Sequence, residues 1–297
     1  MKIKFYGYNT FILESSERKI AIDPGTSFYI FTLGKSMIPK EDWEGLTHLF
    51  ITHGDPDHAD AAGLIAKETG AKIIGGIGLQ EGLGELRKEI QKNGLSCSEI
   101  EAGQVADFDG ITVEGLETRH GILPLNIIPG MFKMTGEVVN ADEGGLRLYL
   151  GPLRLLNIRK PMKVYSTGTI SLLCGLLSTE KDNVPFAVGS IGLKLTFDGK
   201  TIVNLGDTLL MDSWHEMSPD VLMIPIGGRE VHNTMDEKEA LEAVRIMQPK
   251  LVIPCHYNCA ALFSKKLNPA DDQIFKSEVI KMGLDCKILS IGEEINI

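Results

Sequence analysis

Apolar and polar positions alternate over residues 2–6, 10–14 and 19–23, with Gly7-Tyr8-Asn9 and the charged stretch 15–18 between them, which predicts three short strands in a meander. Residues 48–52 (HLFIT) form a denser apolar run that predicts a buried strand. This run ends in the polar cluster His53 to His58, and a helical pattern over 60–69 follows, closed by Gly70. The polar cluster therefore falls at a strand-to-helix turn. Next come a predicted strand over 72–74, a helix over 80–92 stopped by Gly94, and a strand over 111–117 that leads into Thr118-Arg119-His120-Gly121.

From 125 to 183 the periodicity is lost in Gly-, Pro- and Met-rich apolar sequence, which reads as an insertion and not as part of a repeating core. Its leucines, isoleucines and methionines are too many for a free loop, so it is expected to cover the catalytic pocket, a dimer partner or a fatty substrate. Order returns with strands over 190–197 and 201–205 joined by Asp198-Gly199, a hairpin signal, and Asp207 lies just beyond. Further strands are expected over 221–226, 251–253 and 287–290, with helices over 236–247 and 271–282. Both halves pass from strands to alternating strands and helices. The pattern predicts one α/β domain over 1–297, built of two sheet-plus-helix layers packed together.

Composition narrows the function. With 30 Lys+Arg against 40 Asp+Glu the net charge is −10, which disfavours a nucleic-acid partner that binds through phosphates. The longest nearly uncharged apolar stretch, 167–178, is shorter than the roughly 20 residues a membrane helix needs. The N-terminal residues alternate instead of forming a leader-type apolar block, so a cytoplasmic location is expected. Five scattered cysteines without a C-x-x-C argue for reduced thiols.

The chemistry concentrates in His53-Gly54-Asp55-Pro56-Asp57-His58, an H-x-D-x-D-H pattern. Carboxylates this close repel one another unless a cation lies between them, so a divalent metal accounts for the segment better than a solvated turn capped by Asp57 or Asp60. Histidine or aspartate recurs at later strand ends: His120 in ETRHG, Asp207 in NLGDT and His256 in IPCHYN.

In these motifs the chain resembles the metallo-β-lactamase superfamily, whose familiar pattern is H-x-H-x-D-H followed by a lone His, a lone Asp and a final His. Asp23 in AIDPG matches an early aspartate that supports the site structurally. The segments PIGG (225–228), Thr234-Met235 and PCHYN look most like the branch of ascorbate-phosphate lactonase and related metal-dependent hydrolases. The resemblance implies an αββα four-layer sandwich with two divalent metal ions. His53, Asp55 and His120 would hold one, Asp57, His58 and His256 the other, and Asp207 would bridge them. Asp55 departs from the pattern by standing where most hydrolases of the superfamily have histidine. A carboxylate there favours Mn or Fe, although Zn also accepts it.

The implied activity is hydrolysis of an ester, lactone or phosphodiester bond in a small-molecule substrate by a metal-bound hydroxide, with Asp57, Asp207 and His232 as catalytic candidates. Arg229, Tyr257 and Asn258 adjoin motif positions and are candidates for substrate contacts. His48 and His215 read as structural, and Cys255 and Cys259 as small buried hydrophobes. The rivals are a diiron oxidoreductase reducing oxygen or nitric oxide, which the carboxylate at Asp55 favours, a superfamily nuclease, and a non-catalytic sensor. A homo-oligomer is expected if the insertion builds an interface.

Overall fold

The computed structural model describes residues 1–26, 36–79, 85–121, 189–229, 232–259 and 268–297, and the backbone of 135–138 and 146–149. Its first sheet takes β1 (Lys2–Phe5), β2 (Phe11–Glu14), β3 (Lys19–Ile22), β4 (Leu46–Ile51), β5 (Lys72–Gly76) and β6 (Cys97–Ile100) in that order. The strands β1 to β3 form the expected antiparallel meander, and β3 to β6 run parallel. Helices α1 (Pro56–Ala59), α2 (Ala62–Thr69) and α3 (Glu85–Asn93) lie in the β4–β5 and β5–β6 connections.

A second sheet begins with the antiparallel pair β7 (Val105–Phe108) and β8 (Ile111–Leu116). After a two-stranded antiparallel unit of β9 (Thr135–Val138) and β10 (Leu146–Tyr149), the second sheet continues with β11 (Gly192–Phe197), β12 (Lys200–Asn204) and β13 (Val221–Pro225). Then follow α4 (Glu237–Met247), β14 (Leu251–Cys255), α5 (Asp272–Lys281), β15 (Asp285–Cys286) and β16 (Glu294–Asn296). The order in this sheet is β15-β14-β13-β12-β11-β8-β7, whereas β16 returns to pair with β1 in the first.

Side-chain alternation makes the layers. In β3, Ile20 and Ile22 face the second sheet while Ala21 faces the helices; in β13, Val221 and Met223 face the first sheet while Leu222 and Ile224 face α4. Strands buried on both faces read as apolar runs, as LFI in β4 and VLMI in β13 do. Three clusters result: one between the sheets, one under α2 and α3, and one under α4 and α5. This is the four-layer αββα arrangement. Among the described residues no helix is long and apolar enough to cross a membrane.

The sequence pattern and the structure differ in places. The helix expected over 60–69 forms as α2 from Ala62, and a separate short helix, α1, arises before it inside the polar cluster; the strand expected over 287–290 is not one: the chain pairs at Asp285–Cys286, and Lys287 N–H still reaches Val252 O, at 2.9 Å. Strands β6, β7 and β16 carry no alternation that sequence would show. Apart from β9 and β10, the apolar insertion expected over 125–183 lies outside the described residues.

Candidate metal centre

Every candidate ligand follows the end of a strand on one edge of the sandwich. The 53–58 segment follows β4, His120 follows β8, Asp207 follows β12 and His256 follows β14. Crevices beyond the carboxyl ends of strands are where open α/β sheets bind ligands. Close backbone contacts between these loops demand glycine. A Cβ at Gly25 would lie 2.0 Å from the Asp57 carbonyl carbon, and one at Gly228, in the PIGG segment, 1.9 Å from Thr234 O. Gly25→Ala is therefore expected to cost about 1–3 kcal/mol of stability by overpacking and to push the 55–58 segment aside. Thermal melts and metal titrations unchanged from wild type would contradict this.

The seven motif residues converge. Nε2 of His53 lies 3.5 Å from Asp55 Oδ2, and Nε2 of His120 lies 3.7 Å from that same oxygen. On the other side, Asp57 Oδ2 is 3.6 Å from His58 Nε2 and 3.3 Å from His256 Nε2. Asp207 stands between the groups: Oδ2 is 3.2 Å from His256 Nε2 and 3.7 Å from His120 Nε2, and Oδ1 is 3.8 Å from His58 Nε2. Three sets have donor atoms mutually within 4.8 Å: His53-Asp55-His120, His53-His58-Asp207 and Asp57-His58-His256.

A second layer fixes how the rings present themselves. Nδ1 of His58 bonds Asp23 Oδ2 at 2.6 Å, Nδ1 of His53 bonds Thr52 Oγ1 at 3.1 Å, and Nδ1 of His120 bonds Gly121 O at 2.7 Å. Nδ1 of His256 lies 2.9 Å from the Asn268 amide. With each Nδ1 engaged, each Nε2 turns to the cluster, the arrangement found around metal-ligating histidines. Nε2 of His53, Nε2 of His58 and Oδ1 of Asp207 are buried and have no hydrogen-bond partner among the described residues.

The electrostatics agree with a site short of positive charge. Burial works against a proton on His58, yet the carboxylates of Asp57, Asp23 and Asp207 outweigh it and raise its pKa to about 10. His120 is raised too, burial being overcome by its contact with Asp207 and by the Asp55 charge. For Asp207, burial is overcome by His256, His58 and His120, which hold the carboxyl well below the usual range; for Asp55, by His53, His120 and His58. His53 is depressed, by burial first and by neighbouring His58 second.

Other sequence candidates lie outside the cluster. His232 is exposed, with Nε2 bonded to Glu239 at 3.0 Å. Arg229 pairs with Glu237, Tyr257 bonds Asp272, and Asn258 bonds Ala270 O. His48 bonds Asp109 and Thr47, and Cys255 donates to Asn9. Sequence reasoning passed over Asn233, beside His232, which is buried and sends Nδ2 to Asp207 Oδ2 at 3.4 Å. Asn268, behind His256, was missed as well. A neutral amide in a loop carries no sequence signal comparable to clustered His and Asp.

This fold and this edge define a class: the chain belongs to the metallo-β-lactamase superfamily, the profile described as "Beta-lactamase superfamily domain" matching residues 2–150 and 170–256. Among its relatives is a UPF0173 metal-dependent hydrolase of Pyrococcus abyssi, 26% identical over 302 residues and covering 100% of both chains. Among solved structures, Igni18, a metallo hydrolase from Ignicoccus hospitalis, superposes with a TM-score of 0.60 at 23% identity, covering 99% of this chain and 97% of that one. CmlA, a diiron β-hydroxylase from Streptomyces venezuelae, superposes with a TM-score of 0.58 at 11% identity, over 100% of this chain and 54% of its own. Both likenesses concern the fold.

Proposed function

We propose that this protein, a metal-dependent hydrolase of the metallo-β-lactamase superfamily, uses a two-metal centre to cleave an ester, lactone or phosphodiester bond of a small molecule. The observation that carries the reading is the convergence of His53 Nε2, His58 Nε2 and Asp207 Oδ1, buried and without a hydrogen-bond partner among the described residues. Such atoms cost about 1–3 kcal/mol each when left unsatisfied, and a divalent cation satisfies them together. Imidazole nitrogen and carboxylate oxygen suit Mn, Fe or Zn. His53, Asp55 and His120 would hold one ion and Asp57, His58 and His256 the other, with an oxygen of Asp207 for each. When bound, the ions supply Lewis acidity that brings a water's pKa toward neutrality and polarises the oxygen under attack.

The chain's own groups do the rest. Asp57 Oδ2, 3.3 Å from His256 Nε2, is placed to hold the proton of the nucleophile. Asn233 steadies Asp207 through Nδ2, while its buried Oδ1, without a partner among the described residues, is the acceptor for a hydrogen donor on the substrate. The relatives' name, metal-dependent hydrolase, at coverage of 94% or more of this chain supports the hydrolytic reading.

Metal and proton compete for the same atoms. Because the His58 pKa is raised to about 10 in the metal-free protein, ion uptake near pH 7 is expected to expel protons, and affinity should climb with pH through the neutral range. Calorimetric titration in buffers of differing ionisation enthalpy measures this, and heats independent of buffer would contradict it.

The carboxylate Asp55 in the His53-His120 group favours a second reading, a diiron oxidoreductase. Metal-stripped protein reloaded with Zn, Mn or Fe separates the two. Hydrolysis of a lactone, phosphodiester and thioester panel with redox-silent Zn or with Mn is expected. Turnover only with iron and an electron donor would sink the hydrolase reading.

A further inference from the structure

We infer that Asn9, in the turn between β1 and β2, is the positioning residue that sets the Asp57-His58-His256 half of the metal centre, an inference that rests on the two-metal reading above. Asn9 is fully buried and its amide is saturated. Nδ2 donates to Asp23 Oδ2 at 2.6 Å and to Asn204 Oδ1 at 2.8 Å, while Oδ1 accepts from Asn204 Nδ2 and from Cys255 Sγ, each at 3.1 Å. The Asp23 carboxylate accepts from Thr52 and His58 as well, so the amide faces it with its NH2 group, and Oδ1 is left for the Asn204 and Cys255 side.

Each of those bonds leads in one step to a different ligand loop. Asp23 holds Nδ1 of His58. Cys255 directly precedes His256, whose own backbone N–H donates to Tyr8 O at 2.8 Å, next to Asn9 in the same turn. The Tyr8 ring stands edge-on to the His256 ring, centroids 5.8 Å apart. Asn204 Oδ1 also accepts Gly206 N–H at 2.9 Å, one residue before Asp207. Asn9 belongs to the first sheet and Asn204 and Cys255 to the second, so this one amide sets the ligand loops of the two sheets in register.

Strain supports a registering role. Tyr8, Asp23 and His256 all adopt left-handed backbone, with φ of 50°, 45° and 48°. Such conformations in residues other than glycine persist only where the surroundings over-determine them, and here all three are tied to Asn9 or to its immediate neighbours. The other half of the centre is less dependent on it. His120 is oriented by the carbonyl of its own neighbour Gly121, and His53 is reached from Asn9 only through Asp23 and Thr52. Asn9 therefore acts on one half more than on the other, which a merely structural residue would not do.

The test titrates Mn²⁺ alone into metal-stripped full-length protein by calorimetry. In a His53→Ala background, which leaves the Asp57-His58-His256 group intact, Asn9→Ala is expected to weaken Mn²⁺ binding about 10- to 100-fold, the usual effect of losing a second-layer partner. In a His256→Ala background, which leaves the His53-Asp55-His120 group, the same substitution is expected to shift affinity far less, through Asn204 and the Asp207 loop alone. In the otherwise wild-type chain, the electron paramagnetic resonance signal of coupled manganese should give way to that of a single ion. Should Asn9→Ala not fold, Cys255→Ala removes only the Cys255 bond to Oδ1 and should shift affinity in the same direction by less. Equal weakening in both backgrounds, or none in either, overturns the inference while leaving the two-metal reading intact. A wild-type chain that binds no Mn²⁺ and no Zn²⁺ overturns both.

Discussion

Asp207→Asn is expected to abolish turnover and to remove tight metal binding while leaving the circular-dichroism spectrum of the sandwich in place. Asp207 lies in the loop after β12 and belongs to none of the three apolar clusters, so the core does not depend on it. Its two oxygens face different partners. Oδ2 meets His256, His120 and the Asn233 amide, and Oδ1 meets His58. An asparagine here can keep only one of those oxygens. Turned with its NH2 toward Asn233 it would set donor against donor; turned the other way, the NH2 points at His58 Nε2, where the proposed centre needs an oxygen. The loss should exceed the roughly 10- to 100-fold that second-layer changes produce. Metal analysis by mass spectrometry, with the hydrolysis panel, checks this. A variant that retained both metal and activity would remove Asp207 from the centre.

How much of this was legible in the sequence depends on the kind of residue. Stretches buried on both faces, such as Leu49 to Ile51 of β4 and Val221 to Ile224 of β13, betray themselves by unbroken apolar runs. Helix α4, expected over 236–247, starts where the Asp236 side chain caps the Lys238 and Glu239 N–H groups and Glu239 returns a bond to Asp236 N. Edge strands were not legible. In Val105–Phe108 only Ala106 and Phe108 pack against the core, and only partly, while the apolar Val105 is exposed, so the sequence shows no clean alternation; Glu294–Asn296 becomes a strand by pairing with Lys2–Lys4 at the far end of the chain. The same division holds in the site. Clustered His and Asp were visible because their mutual repulsion or ligand chemistry demands a cation. The asparagines Asn9, Asn204, Asn233 and Asn268 act through hydrogen bonds mostly to partners distant in the chain, 195 residues apart for Asn9 and Asn204, and spacing cannot reveal such a pairing.

The second large effect is expected at Asp23, which touches no ion in the proposed centre. Its carboxylate is fully buried and takes four bonds: Thr52 N–H at 2.7 Å on Oδ1, and Thr52 Oγ1, Asn9 Nδ2 and His58 Nδ1 at 2.6 Å each on Oδ2. Asp23→Ala strands all four donors and leaves the His58 imidazolium without its closest counter-charge. Breaking a buried pair in this way costs about 3–5 kcal/mol, because the partner stays buried. Metal affinity should fall as well, by the 10- to 100-fold typical of a lost histidine support, since nothing then fixes the His58 ring. The pH dependence has a definite sign. The His58 pKa is raised from 6.5 to about 10 in the folded, metal-free chain, so the stability it contributes is complete below pH 6.5 and is lost as pH rises through 10. The gap between wild type and Asp23→Ala should therefore be widest in metal-free protein at mildly acidic pH and should narrow steadily above neutrality. Urea melts of both proteins across that range measure it. A gap that stayed constant, or widened with pH, would mean that Asp23 serves the Thr52 turn alone and does not hold His58.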